Sequence, residues 1–186
     1  METIKKDNKV YHFHNGKCLI SPTSAIKYFI RGKFVKIPDK VLEQARTSGS
    51  EFMNYLATKW SNKETTDEQK LKFSKMETNL LVLFKQLGIT PKMLECEVYN
   101  NIWYGSIDID CGNCFVELKT RSNYKLELES VFQCEVYKSL ANKPYHIIYI
   151  DRKTSLAMEL KPTAEMIKEA QEIKKCLENV YQKLNK

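Results

Sequence analysis

No apolar run in this chain is long enough to cross a bilayer as a helix, and the start, METIKKDNK, has no apolar stretch after its charges. A membrane span and a secretory signal are therefore not expected, and a reducing, cytoplasmic location is. No second C-x-x-C accompanies Cys111 and Cys114, so the paired ligand set of a zinc or iron–sulfur centre is missing. That pair reads as small residues flanking a tight turn at Gly112-Asn113, and the six cysteines as free thiols. Internal repeats, low-complexity tracts and a dividing linker are absent too. One domain over 1–186 is expected, with its core at about 66–160 and a last helix at about 163–185.

What is present is ordinary globular composition, 42% hydrophobic and 28% charged, which excludes a disordered chain. A net charge of +7 and a pI near 9.0 favour a polyanionic partner, nucleic acid first and an anionic membrane surface second.

The patterning predicts a mixed sheet covered by helices. "VYHFHNGKCLI" alternates about Asn15-Gly16, a two-residue hairpin signal that puts His12 and His14 on one strand face. "SPTSAIKYFI" reads as a short capped helix, and 38–60 as a longer one with a break at Ser48-Gly49-Ser50. Thr66 and Gln69 have capping-box spacing for the next helix, which runs to Leu87 with Gly88 as its C-cap. Its apolar stripe is Phe73, Met76, Leu80, Leu81, Phe84 and Leu87, with Glu77 inside it. A carboxylate there is either paired, bound to a cation, or turned outward at the helix edge. Strands follow at "LECEVY", "IWYGSIDI" and "CFVELKT". Then come an amphipathic helix at "LELESVFQCEVYKSLA", a buried strand at "PYHIIYI", a hairpin through "DRKT", and a solvated outer helix from Thr163.

The chemistry concentrates in "WYGSIDIDCGNCFVELKT". Asp108 lies on one strand of a hairpin, and Glu117 and Lys119 lie on the other, facing the same way. This is either a solvated sheet face or a site. As a site, Asp108 and Glu117 offer hard oxygen ligands suited to Mg²⁺ or Mn²⁺, and the Leu118 carbonyl offers another. Lys119 would then sit beside water on the metal, where it could orient or deprotonate that water or neutralise charge on a phosphate under attack. Asp110 shares the Asp108 face and could assist.

"GSIDID…FVELKT" followed by "QCEVY" resembles the PD-(D/E)XK nuclease superfamily, in particular its RecB-like exonuclease branch. There a G-x-x-D strand, a (D/E)-x-K strand and a Q-x-x-x-Y helix follow one another, here as Gly105–Asp108, Glu117–Lys119 and Gln133–Tyr137. The resemblance covers the chain from about Ser21 to the last helix. It implies an α/β (α+β) fold: a restriction-endonuclease-like core with a central mixed sheet flanked by helices, to which the N-terminal β-hairpin is added. It implies metal at Asp108, Glu117 and the Leu118 carbonyl, a catalytic Lys119, and Gln133 and Tyr137 lining the site against the scissile strand. The chain departs from the branch at the upstream G-x-x-x-H helix, where "GSEFM" puts Met53, a poor ligand for a hard cation, at the His position. Glu51 lies nearby but opposite Phe52, Leu56 and Trp60 on the wheel, so Glu77 is the preferred upstream acid. The implied activity is Mg²⁺- or Mn²⁺-dependent hydrolysis of DNA, as a freestanding exonuclease of the phage type acting on linear DNA with a free end in recombination, repair or phage DNA processing. The alternatives are a non-catalytic nucleic-acid-binding protein that retains the fold, and a structure-specific endonuclease.

Overall fold

In a computed structural model, residues 1–6, 9–25, 39–121 and 125–185 are described, with backbone only at 6, 9 and 39–48. The Asn15-Gly16 turn forms as the spacing predicts, both residues taking positive φ (51° and 74°) between β2 (Lys9–His14) and β3 (Lys17–Cys18). A strand that the patterning did not predict, β1 (Glu2–Lys6), pairs antiparallel with β2, so the hairpin becomes a three-stranded sheet. Helix α1 spans Pro22–Ala25, and residues 26–30 of the expected helix lie outside the described residues, as does Pro38.

Helix α2 (Asp39–Trp60) runs unbroken through Ser48-Gly49-Ser50, against expectation. A methyl group at Gly49 would lie 3.5 Å from Thr120 Oγ1, so the glycine sits where the helix packs on the sheet. Packing, rather than local propensity, carries the helix across it. Helix α3 (Asp67–Leu87) has the expected capping box between Thr66 and Gln69 and ends at Gly88 in the left-handed region. Phe73, Met76, Leu80 and Phe84 are buried, but Leu81 is 42% exposed. At 3.6 residues per turn it lies about 80° from Phe73, at the margin of the stripe.

The central sheet has the order β4-β5-β6-β7-β8, with β4 Met93–Tyr99, β5 Tyr104–Asp110, β6 Phe115–Arg121, β7 Tyr145–Asp151 and β8 Ala157–Glu159. The pairs β4/β5, β5/β6 and β7/β8 are antiparallel, whereas β6 and β7 are parallel, joined by helix α4 (Leu128–Ala141). Helices α2 and α3 cover one face, over Val116, Leu118, Ile148 and Ile150. Helix α4 and the last helix, α5 (Ala164–Leu184), cover the other, over Phe115, Ile147 and Tyr149. Helix α4 is not amphipathic as expected: it is buried from Ser130 through Tyr137 except at Gln133, being packed between the sheet and α5. The small sheet attaches at the start of β5, where Ile20 bridges Trp103 and His12 stacks on Tyr104 with ring centroids 3.5 Å apart. Among the described residues no helix is long and apolar enough to cross a membrane.

Glu77 faces the core, as its place in the stripe predicts, and its partners are on α2: Tyr55 Oη donates to one oxygen at 2.8 Å and Trp60 Nε1 to the other at 3.1 Å. Burial, then the Glu77 carboxylate, push the Tyr55 hydroxyl up to about 12, so it stays a donor. Replacing Glu77 with Ala strands both donors. The expected loss is about 2–4 kcal/mol of stability, read as a lower denaturant midpoint. An unchanged midpoint would show that this bridge does not hold α2 to α3.

Candidate active site

Strand β6 places the site. Its even residues Val116 and Leu118 face α2 and α3, so alternation turns Glu117 and Lys119 toward α4. Burial is almost complete for Glu117, whose side chain is 1% exposed. Its Oε1 accepts from Lys119 Nζ. Its Oε2 is buried with no hydrogen-bond partner.

Asp108 reaches this pair because the sheet is faulted beside it. The β5–β6 ladder pairs only Ile109 with Val116 and Asp110 with Phe115, then ends. Beyond that point Asp108 Oδ2 accepts the Leu118 N–H at 2.8 Å, a side chain standing in for a ladder partner. On the other side, Leu94 pairs with Ile109 and Cys96 with Ile107, which sets Glu95 opposite Asp108. Glu95 has φ +52°, left-handed within a strand. For a residue with a Cβ this costs about 1–2 kcal/mol. Both strands turn over at this row. Leu94 and Ile109 pack against the α2/α3 core, whereas Cys96, Val98 and Ile107 pack against the α4/α5 core.

The motif residues join into one network. Lys119 Nζ donates to Gln133 Oε1 at 3.4 Å, and Gln133 Nε2 donates to Tyr137 Oη at 3.3 Å. The Ser106 N–H also donates to Tyr137, which returns the chain of contacts to β5. Gly105 makes this closure possible. A Cβ there would fall 2.3 Å from Tyr137 Cε1 and 2.6 Å from its Oη, so only glycine lets the ring lie on the strand.

Electrostatics point the same way. Burial, then the neighbouring Glu117 charge, push Asp108 up to about 8, against the opposing pull of Lys119 and the Leu118 N–H. Lys119 is raised above its ordinary value: burial opposes its charge but is outweighed by Glu117 and then Asp108, so it holds its proton. Two carboxylates and one ammonium leave a net negative pocket with an unused buried oxygen on Glu117. This fits a hard divalent cation held by Asp108 and Glu117. Among the described residues no group of three or more His, Cys, Asp or Glu side chains is close enough to hold a metal.

The structure therefore brings together Asp108, Glu117, Leu118, Lys119, Gln133 and Tyr137. It does not bring Glu77 or Glu51 to them. Glu77 is occupied by Tyr55 and Trp60, and Glu51 pairs with Lys72 on α3 near solvent. Asp110 is turned to the β5–β6 turn, where Lys143 and the Gly112 N–H hold it. Two neighbours escaped the sequence reading. Cys134 is fully buried next to the pair, its thiol pushed up by burial and then by Glu117. Glu95 could have been found by counting back along the β4–β5 hairpin from Tyr99 opposite Tyr104.

No family model and no curated protein matches the chain. Among solved structures it is similar to the alkaline exonuclease LHK-Exo from Laribacter hongkongensis, at 11% identity over 90% of this chain and 91% of that one, with a TM-score of 0.43. It is also similar to SSO0001, at 15% identity over 82% of each chain, with a TM-score of 0.32. Likenesses this distant carry no argument about the chemistry of this chain.

Two outcomes follow from the geometry. Gly105→Ala forces a methyl group into the Tyr137 ring and should cost about 1–3 kcal/mol, and Gly105→Ala combined with Tyr137→Ala should cost less than the sum of the two. Strict additivity in thermal melts would remove the Gly105–Tyr137 contact from the account. The second concerns pH. A carboxyl raised from 3.8 to about 8 keeps its proton in the folded state after the unfolded chain has lost it. Stability of the metal-free protein should therefore fall as pH rises through that window, and Asp108→Asn should flatten the fall. Denaturation in EDTA from pH 5 to about 8 gives the slope; equal slopes in the two proteins would refute the burial of Asp108 as a charge.

Proposed function

We propose that this protein is a Mg²⁺- or Mn²⁺-dependent deoxyribonuclease of the PD-(D/E)XK kind, acting as an exonuclease on linear DNA. One observation carries the reading: Glu117, buried with one oxygen unpartnered, lies in contact with Lys119 and next to Asp108, in a network that runs on to Gln133 and Tyr137. When bound, the cation supplies Lewis-acid polarisation of a phosphoryl oxygen. Asp108 and Glu117 hold it, with the Leu118 carbonyl between them as a further oxygen donor. Lys119, kept as an ammonium by the two carboxylates, neutralises charge that develops on the phosphate. Gln133 fixes the Lys119 amine from the helix side, and Tyr137 fixes Gln133. Cytoplasmic DNA processing in recombination, repair or a phage cycle is the setting this activity suits. The net charge of +7 supports a polyanionic substrate, bound with strong salt dependence.

A second reading, a non-catalytic nucleic-acid-binding protein, is favoured by one observation, the lack of a third close metal-ligating side chain among the described residues. End-labelled linear DNA and covalently closed circles, each with Mg²⁺, Mn²⁺ or EDTA, decide between them. Linear DNA should be degraded from an end with either metal, and circles should survive. Asp108→Ala and Glu117→Ala should abolish cleavage. Lys119→Ala should lower kcat by on the order of a hundredfold or more while DNA affinity stays nearly constant. Salt-sensitive binding without cleavage would establish the second reading, and discrete cuts in closed circles an endonuclease.

A further inference from the structure

Glu95 stands out because the chain distorts itself at this residue for no internal gain. It lies opposite Asp108 in the β4–β5 register, between the pairs Leu94–Ile109 and Cys96–Ile107. It is a left-handed non-glycine residue inside a strand, its side chain is exposed, and among the described residues it makes no hydrogen bond or ion pair. The distortion is what keeps Glu95 beside Asp108 while the strands turn over, and the Glu95 charge acts on the Asp108 carboxyl. A strained acid placed next to another acid is repulsive by itself. Strain of this kind persists at sites where a ligand uses it. Independently, the buried and unpartnered Glu117 Oε2 on the far side of Asp108 asks for positive charge at the same place.

We infer that Glu95 is the third carboxylate of the cation site, closing its solvent side opposite the buried Glu117. This rests on the metal-site reading of Asp108 and Glu117 and names a residue which that reading does not include. In this arrangement Asp108 is the shared oxygen donor, Glu117 is the inner acid, and Glu95 is the outer one. Glu95 is then a positioning residue for the cation rather than a group that touches the reacting phosphate. Its exposure gives the cation a route in from solvent that Glu117, at 1%, does not have. Hard divalent ions with six or more oxygen ligands gain from such an additional anionic donor.

The test is Mn²⁺ titration calorimetry on the full chain, with thermal melts alongside. Glu95→Gln should weaken Mn²⁺ binding by roughly three- to tenfold, less than Asp108→Ala, and should reduce the rise in melting temperature that saturating Mn²⁺ brings. Glu95→Gly should weaken Mn²⁺ binding similarly while raising the melting temperature of the metal-free protein, because glycine takes positive φ without strain. Such a split, tighter fold and weaker metal binding, would not come from a purely structural role. Wild-type affinity in Glu95→Gln, with Asp108→Ala defective, overturns the role of Glu95 and leaves the Asp108–Glu117 site standing. No Mn²⁺ binding by the unaltered protein overturns both.

Discussion

A carboxylate as deeply buried as that of Glu117 has to have its charge answered, since removing an ion from water costs several kcal/mol even after the surroundings relax. Lys119 answers it from two residues along the same strand, which requires only that β6 be regular there. The remainder is not answered within the protein. One Glu117 oxygen is left without a donor, and Asp108 adds a second negative group next to it. The arrangement around these three groups is organised by that unmet demand. Helix α4 seals the site from one side with Cys134, Gln133 and Tyr137, and the faulted end of the β5–β6 ladder brings Asp108 in from the other.

The fault in the sheet and the fit of Tyr137 are two sides of one solution. A regular five-stranded sheet would keep Ile107 and Ile109 on one face. Here they serve opposite cores, because both β4 and β5 turn over at the row of Glu95 and Asp108. Asp108 can then spend its side chain on the Leu118 N–H, and the strand beyond carries Gly105 and Ser106 under the Tyr137 ring. Sheet distortions of this type are common next to active sites because they re-aim a side chain that strict alternation would not.

Much of this was legible from local rules. The Thr66–Gln69 capping box, the Gly88 cap and the Asn15-Gly16 turn depend on neighbours within a few residues, and all three formed. Glu77 inside an apolar stripe announced a buried acid, and the structure buries it. Its partners, Tyr55 and Trp60, lie 22 and 17 residues away, and nothing local could identify them. The errors are of the same kind. Ser48-Gly49-Ser50 looks like a helix break by propensity, yet contact with β6 overrides it. Helix α4 looked one-sided because the polar residues at its edges do not reveal that α5 will cover them. Strand β1 is too polar to be recognised before β2 is there to pair with it.

By itself the sequence determined the order of elements, the strand face shared by Glu117 and Lys119, and the spacing that sets Gln133 and Tyr137 one turn apart on a helix. These follow from backbone periods of 2 and 3.6, which any window of a dozen residues expresses. Only the tertiary structure decided that Glu117 is buried with an open oxygen, that Glu51 and Glu77 are engaged elsewhere, and that Glu95 faces Asp108 across a strained strand. Burial, pairing and strain are properties of what packs against a residue. Here the packing partners are brought from other elements by the crossover of α4 and the turnover of β4 and β5.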